Sequence, residues 1–130
     1  MGKSMAAHLM KHGNPMAVFN RTASKADDLV KSGATFMSPE EVAKQSDYLF
    51  LMLGYPKDVE KMVLDPNDGI LKHMKPGSYL IDHTTSKPGL ADEIYNHAIK
   101  RDVFSVDAPV SGGDIGAKNG QLVVMVGGEQ

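Results

Sequence analysis

The chain has 130 residues, of which 42% are hydrophobic and 23% charged, a balance typical of one globular domain with a buried core. Its net charge of −2 argues against nucleic-acid or membrane-surface partners, and no apolar run reaches the roughly 18 residues of a membrane-spanning helix. The lack of cysteine excludes disulfides and thiolate metal sites, and the five histidines form no metal-binding pattern, so no metal is expected.

The first part of the chain alternates between helical and strand patterns. Met5 and Leu9, like Ala6 and Met10, recur at a spacing of four residues and predict an amphipathic helix, which Gly13 ends. Ser38 before Pro39, with a glutamate three residues on, is typical of a helix start. The predicted elements are, in order, helix 2–12, strand 16–19, helix 24–31, strand 34–37 and a helix from residue 39.

The second part begins with an uninterrupted apolar run from Tyr48 to Leu53, which predicts a strand at 47–53 buried on both faces. The predicted elements after it are helix 57–63, strand 79–81, a helix capped by Ser86 that runs to about Lys100, strand 103–106 and strand 122–126. Alternating helices and strands predict an α/β domain with a mostly parallel sheet.

Residues 107–113, Asp-Ala-Pro-Val-Ser-Gly-Gly, follow one of these predicted strands. A serine beside two glycines offers a hydroxyl and unobstructed backbone N–H groups to an anion. Ligands bind at the carboxyl ends of strands in α/β sheets, which makes this stretch a candidate site. An ordinary tight turn has the same composition, so the surrounding motifs decide between the two interpretations.

The order of motifs resembles the β-hydroxyacid dehydrogenases, and within them the 3-hydroxyisobutyrate dehydrogenase group. The matching segments cover essentially the whole chain, at residues 1–13, 18–22, 51–53, 82–85, 107–117 and 126–128. The resemblance implies a Rossmann-type doubly wound sheet, with 1–130 as the NAD(P)-binding domain of the 6-phosphogluconate dehydrogenase/3-hydroxyisobutyrate dehydrogenase type. Gly2 matches the third glycine of Gly-x-Gly-x-x-Gly. We therefore expect a domain that lacks its first strand and the all-α domain that follows.

The same resemblance implies seven cofactor-binding residues: Gly2, Asn20, Arg21, Thr22, Leu53, Gly54 and Thr85. Asn20 stands where an acid would select NAD, and Arg21 suits the 2′-phosphate of NADP, so we expect NADP to be favoured over NAD. Thr22 adds a hydroxyl. A solvated arginine followed by a helix cap is the plain alternative for this stretch.

Two further loops are implied to touch the cofactor. Leu53 and Gly54 match a loop along the cofactor, although many members have proline in place of Gly54, and a plain turn is the alternative. Thr85 matches a threonine near the nicotinamide, with helix capping as the alternative. His83 stands in place of the usual serine and has no assigned role.

Ser111, Gly112 and Gly113 match the family's site for the substrate carboxylate. The family's proton-transferring lysine would lie beyond Gln130, so we expect no catalytic residue in this chain and no turnover by the chain alone. The implied reaction is NAD(P)-dependent oxidation of a 3-hydroxyacid, first 3-hydroxyisobutyrate as in valine catabolism. We expect a soluble, cytoplasmic or mitochondrial-matrix protein, and a homo-oligomer in the full-length form.

Three other functions stay open. The stretch Asn20 to Thr22 resembles NADPH-using reductases of glyoxylate, succinic semialdehyde or tartronate semialdehyde. Without the lysine, the chain could instead be a non-catalytic nucleotide-binding module. A 6-phosphogluconate dehydrogenase relative would need basic residues for a phosphorylated substrate, and residues 107–113 contain none.

Overall fold

The computed structural model describes residues 1–85 and 87–128. The α-helices are α1 (Gly2–Lys11), α2 (Asp27–Lys31), α3 (Pro39–Gln45), α4 (Pro56–Leu64), α5 (Pro88–Ile99) and α6 (Gly113–Asn119), with 3₁₀ turns at Ala23–Ala26 and Ile70–His73. The strands are β1 (Ala17–Val18), β2 (Thr35–Phe36), β3 (Tyr48–Leu51), β4 (Tyr79–Asp82), β5 (Phe104–Asp107), β6 (Val110–Ser111) and β7 (Val123–Val124). No described helix has the length and apolar character needed to cross a lipid bilayer.

The strands form two parallel groups and one small antiparallel pair. β1 pairs with β2, and β3, β4 and β5 form the main parallel sheet in that order. In the described part of the chain, no strand joins β1 to β3 by backbone pairing. The parallel pairing agrees with the predicted α/β domain with a mostly parallel sheet.

The core lies on one face of the main sheet, under α3, α4 and α5. Burial alternates along β3 and β4, so Leu49, Leu51 and Leu80 point towards these helices. The leucines pack against apolar side chains of all three helices and of the 3₁₀ turn before β4, including Ala43, Val59, Val63, Ile70, Ile94 and Ala98. This packing fixes the main sheet and therefore the ends of its strands.

The prediction that the apolar run of β3 is buried on both faces is wrong. Tyr48 is 60% exposed and Phe50 44% exposed, because α3, α4 and α5 all lie on the opposite face. On the exposed face Tyr48, Tyr79 and Phe104 form an aromatic ladder, with ring centroids 5.1 Å and 5.0 Å apart. These rings partly shield one another where no described helix covers them.

Several predicted boundaries also differ. The strands predicted at 16–19 and 34–37 have two residues each, because β1 pairs on one side only. The helix predicted at 24–31 begins as a 3₁₀ turn. The strand predicted at 122–126 has two residues and pairs antiparallel with β6, outside the main sheet.

Two predicted helix starts have different outcomes. Ser38 caps α3 as predicted, since its Oγ accepts from the N–H of Glu41 at 3.2 Å. The predicted cap Ser86 lies outside the described residues, and α5 begins at Pro88. In α1 the predicted helix is present, but none of its residues is buried.

Candidate functional site

The carboxyl ends of the three main strands lie side by side. Leu51 of β3 is the register partner of Asp82 in β4, which in turn is the register partner of Asp107 in β5. The loops that follow these residues therefore open at one edge of the sheet, here called the carboxyl edge. Parallel sheets of this kind bind ligands at this edge.

Gly2 brings the start of α1 to the carboxyl edge. A Cβ placed on Gly2 would lie 3.2 Å from the Cβ of Met52, which directly follows β3. Glycine therefore permits a close approach that a larger residue would push apart. The first turn of α1 and the loop after β3 are thus neighbours.

Thr84 connects the loop after β3 to the end of β4. Its buried hydroxyl accepts from the N–H of Leu53 at 2.9 Å, and its own N–H donates to Oδ1 of Asp82 at 2.9 Å. The second bond closes an Asx-type turn directly after β4. Two predicted cofactor positions, Leu53 and the adjoining Gly54, are thereby held against the turn that carries Thr85.

The two aspartates of the carboxyl edge have raised pKa values. Burial raises the pKa of the Asp82 carboxyl, although the hydrogen bonds from Thr84 and the nearby His83 oppose the shift. Burial also raises the pKa of the Asp107 carboxyl, and the charge of Asp82 adds to that rise. Neither carboxylate has a described lysine or arginine as an ion-pair partner.

Thr85 is exposed at the carboxyl edge, next to this turn. The interpretation of Thr85 as a helix cap is wrong, because α5 begins at Pro88 and Lys87 occupies the cap position. Its hydroxyl is therefore available at the surface where β3 and β4 end.

The segment 108–113, which follows β5, is tied to β4 at its first residue. The N–H of Ala108 donates to the carbonyl of Asp82 at 2.8 Å, and its carbonyl lies 2.7 Å from Nδ1 of His83. Beyond it, β6 pairs with β7, which leaves Ser111 exposed. The segment with Ser111 is thereby fixed beside the turn with Thr84.

The two glycines after Ser111 are required by the backbone. Gly112 has φ of +132° and Gly113 has φ of +61°, a region that favours glycine. A Cβ on Gly112 would also lie only 3.0 Å from Cδ2 of Leu122. These glycines shape a tight exposed turn, in which Leu122 packs against Gly112 and the space beside Gly113 is open.

Asn20, Arg21 and Thr22 lie apart from this group, in the extended stretch after β1. All three are exposed, and Nδ2 of Asn20 donates to the carbonyl of Thr22 at 2.9 Å. Thr22 precedes a 3₁₀ turn without making a side-chain cap. Within residues 1–85 and 87–128, no hydrogen bond or ion pair links these three residues to the loops after β3, β4 and β5.

Sequence reasoning missed the contribution of Asp82, His83 and Thr84. Each of their side chains makes a contact that holds a loop or a turn of the carboxyl edge. The Asp-x-Thr spacing at the end of an apolar strand is the sequence signal that could have indicated this turn. The described residues contain no group of three or more histidine, aspartate or glutamate side chains that could hold a metal ion.

The whole chain, residues 1–130, matches the family model described as the NAD binding domain of 6-phosphogluconate dehydrogenase. It is 51% identical over 131 residues to the probable 3-hydroxyisobutyrate dehydrogenase-like 1, mitochondrial, of Arabidopsis thaliana, covering 100% of this chain and 39% of that protein. The chain thus spans well under half the length of this relative.

Solved structures share the fold over the same extent. One is the Mycobacterium tuberculosis 3-hydroxyisobutyrate dehydrogenase with L-serine, at a TM-score of 0.91, 29% identity, and coverage of 100% of this chain and 44% of that chain. Another is Psf3 in complex with NADP+ and 2-OPP, at a TM-score of 0.93, 28% identity, and coverage of 99% and 46%.

Proposed function

This chain belongs to the family of the NAD-binding domain of 6-phosphogluconate dehydrogenase, and on that premise we propose that it is the cofactor-binding part of a 3-hydroxyacid dehydrogenase. The homologues are 3-hydroxyisobutyrate dehydrogenases and related oxidoreductases, among them an NAD-dependent L-serine dehydrogenase of Pseudomonas aeruginosa. 3-Hydroxyisobutyrate is the first proposed substrate, which would place the protein in valine breakdown.

One observation carries the proposal: the loops after three adjacent strands are joined at the carboxyl edge. Leu53 bonds to Thr84, and Ala108 bonds to Asp82, so the predicted cofactor loop and the predicted substrate segment meet across β4. A small substrate must lie against both the nicotinamide and its carboxylate site. Neighbouring loops on a rigid sheet meet this requirement.

The residues present fit a dinucleotide. Because Gly2 has no side chain, the first turn of α1 approaches the loop after β3 closely at the edge where a pyrophosphate would bind. Leu53 and Gly54 would line the cofactor, and the exposed Thr85 hydroxyl would contact the nicotinamide end. When bound, the cofactor supplies the hydride acceptor or donor.

The exposed segment 111–113 would hold the substrate. The hydroxyl of Ser111 donates one hydrogen bond to a carboxylate oxygen, and the backbone of Gly112 and Gly113 approaches it without obstruction. Such a site orients the hydroxyl-bearing carbon without a buried cation. The proton of the substrate hydroxyl is assigned to no residue of this chain, since the resemblance gives that role to a lysine outside it.

NADP is the proposed cofactor rather than NAD. Arg21 is an exposed guanidinium after β1, where the ribose 2′-position is recognised in this fold, and Asn20 replaces the acid that would repel a 2′-phosphate. Psf3, which binds NADP+ in its solved structure, supports the proposal. Reduction of a semialdehyde such as glyoxylate, succinic or tartronate semialdehyde is the second candidate, because Asn20 to Thr22 resemble NADPH-using reductases.

A chimera tests the proposal, in which residues 1–130 replace the matching segment of the Arabidopsis relative that is 51% identical. Oxidation of 3-hydroxyisobutyrate and reduction of the semialdehydes are assayed with NADP(H) and NAD(H), with the unaltered relative as control. We expect turnover with at least one 3-hydroxyacid. Tight cofactor binding without turnover, while the unaltered relative is active, would favour a non-catalytic nucleotide-binding module instead.

The proposed compartment and oligomeric state of the protein are inferred from its relatives. Several relatives are named as mitochondrial, among them proteins of Arabidopsis thaliana and Mus musculus, which supports a mitochondrial over a cytoplasmic location as the proposal. A homo-oligomer is proposed for a full-length form, and size-exclusion chromatography of the chimera measures it.

A further inference from the structure

The side chain of His83 contacts the backbone carbonyl of Ala108, the residue directly after β5. Ala108, which is only 1% exposed, has its N–H bonded to the carbonyl of Asp82 and its carbonyl 2.7 Å from Nδ1 of His83. Asp82, the last residue of β4, and His83, which follows it, thus hold both polar backbone groups of Ala108. Because a carbonyl only accepts, the His83 Nδ1 carries the proton and donates.

The His83 ring is fixed in two further ways. It is 7% exposed, and its plane stacks on Phe50 with centroids 5.7 Å apart and an interplanar angle of 6°. Phe50 sets the plane of the ring, and the Ala108 carbonyl sets its rotation within that plane. One side chain therefore connects β3, the turn after β4 and the segment after β5.

Ala108 is the last buried residue before the exposed turn. Pro109 follows it, and the carbonyl of Pro109 accepts from Met125 at 2.9 Å before β6 begins. A shift of the Ala108 carbonyl would therefore pass through a stiff proline to Ser111. The serine expected at position 83 from the resemblance has no ring to stack on Phe50.

We propose that His83 is a positioning residue, which fixes Ala108 and thereby places the Ser111 hydroxyl for the substrate carboxylate. This inference rests on the proposed function, since it takes the segment 111–113 as the carboxylate site. His83 does not touch the substrate in this proposal. It acts through the backbone of Ala108.

Two substitutions separate its hydrogen bond from its ring stacking. In His83→Asn the side-chain amide can replace the Nδ1 donor but the ring is lost, whereas His83→Phe keeps the stack and loses the donor. Both are made in the chimera, with the exposed His97→Asn on α5 as a matched control. The KM for the hydroxyacid, kcat and the Kd of the cofactor are measured.

We expect His83→Phe to raise KM about tenfold, because a buried carbonyl loses its donor, and to change the cofactor Kd less than about twofold. His83→Asn should stay within about threefold of the unsubstituted KM, and His97→Asn should match it. Equal effects of both His83 variants, equal losses in KM and cofactor Kd, or no effect would overturn the proposal.

Amide hydrogen exchange at residues 110–113 in the same chimera gives a readout that does not depend on turnover. His83→Phe should speed exchange there, and His83→Asn should restore it. If the unsubstituted chimera shows no turnover, the proposed function fails, while the exchange data still decide whether His83 positions the segment. Unchanged exchange in His83→Phe would reject that role.

Discussion

Asp82 and Asp107 are direct register partners across β4 and β5, so two carboxylates occupy neighbouring positions at the carboxyl edge. Burial raises the pKa of both groups, and the charge of Asp82 further raises the pKa of Asp107. The fold keeps this pair although the negative charge of Asp82 disfavours ionisation of Asp107. Because both pKa values are raised, this pair should make the free energy of unfolding fall as the pH rises.

Asp82→Asn should become more stabilising, relative to the unsubstituted chain, as pH rises. A carboxyl whose pKa is raised in the folded state stabilises that state fully at pH values below 3.8, the pKa of the same carboxyl in the unfolded chain. This contribution is lost as the pH rises through the folded-state pKa. Asparagine does not titrate, and its Oδ1 can still accept from Thr84. Urea unfolding of the chimera at about pH 4 and about pH 7 measures the difference.

Asp65→Asn is the control with the opposite sign. The N–H groups of Asp68 and Asn67 lower the pKa of Asp65, so its contribution is present above 3.8 and is lost as pH falls through the folded pKa. Asp65→Asn should therefore be more destabilising at neutral than at acid pH. The same trend in both variants would contradict the assignment to Asp82.

Arg21→Ala should reduce the preference of the chimera for NADP(H) over NAD(H) by roughly ten- to a hundredfold. A hydrogen bond to a charged group contributes about 1.5–3 kcal/mol to binding. Only NADP has a 2′-phosphate with which Arg21 could make this bond, so the affinity for NAD should not change. Arg101→Ala is the matched control, because this exposed arginine precedes β5 at the opposite edge of the sheet. Tighter binding of NAD(H) by the unsubstituted chimera would reject the NADP assignment.

Ser111→Ala should raise the KM for the hydroxyacid about tenfold and leave the cofactor Kd nearly unchanged. The exposed hydroxyl makes no described hydrogen bond within the chain, so its removal should cost little stability. Ser32→Ala, an exposed serine after α2, controls for the loss of a surface hydroxyl. Parallel losses of substrate and cofactor affinity would mean that the segment has a structural role.

Gly112→Ala should destabilise the chimera by about 1–3 kcal/mol, since its φ of +132° is strained for alanine and the new Cβ would lie 3.0 Å from Leu122. Gly89→Ala should be neutral or stabilising by up to about 1 kcal/mol, because Gly89 lies in α5 with open space around it. Thermal unfolding measures both. A neutral Gly112→Ala would show that the turn relaxes.

Residues 1–130 produced alone should self-associate and show no dehydrogenase turnover. Tyr48, Phe50 and Phe104 are exposed on the main sheet, and among residues 1–85 and 87–128 β1 pairs only with β2 and β3 only with β4. Light scattering, thermal unfolding and activity assays compare this polypeptide with the chimera. A monomeric, cooperatively unfolding and active 1–130 chain would contradict the expectation.

Local signals predicted much of the fold. The Ser38 cap was read from four residues, and the strands at 79–81 and 103–106 were each placed within one residue of the observed ends. The exposed face of β3 could not be read in this way. A run such as Tyr48 to Leu53 carries no information on whether both faces find a cover, because that depends on elements distant in sequence.

The candidate site likewise contains residues that the sequence predicted and residues that it did not. Sequence placed Leu53 and Ser111 at strand ends, and the structure ties the segments that carry them to β4. It did not reveal Thr84 or His83, because their partners, the Leu53 N–H and the Ala108 carbonyl, are backbone groups without a residue signature. A side chain that bonds to the backbone of a distant segment cannot be recognised from the sequence, because every residue type offers the same backbone groups.

The aromatic ladder gives this protein a built-in optical probe. The chain has no tryptophan and four tyrosines, and two of the four, Tyr48 and Tyr79, stack on the exposed face of the main sheet. Tyrosine emission and near-ultraviolet circular dichroism should therefore report, without a label, when another segment or subunit covers that face. Exchange of both ladder tyrosines for phenylalanine would leave two tyrosines to report on the rest of the domain, Tyr55 in the loop after β3 and Tyr95 in α5.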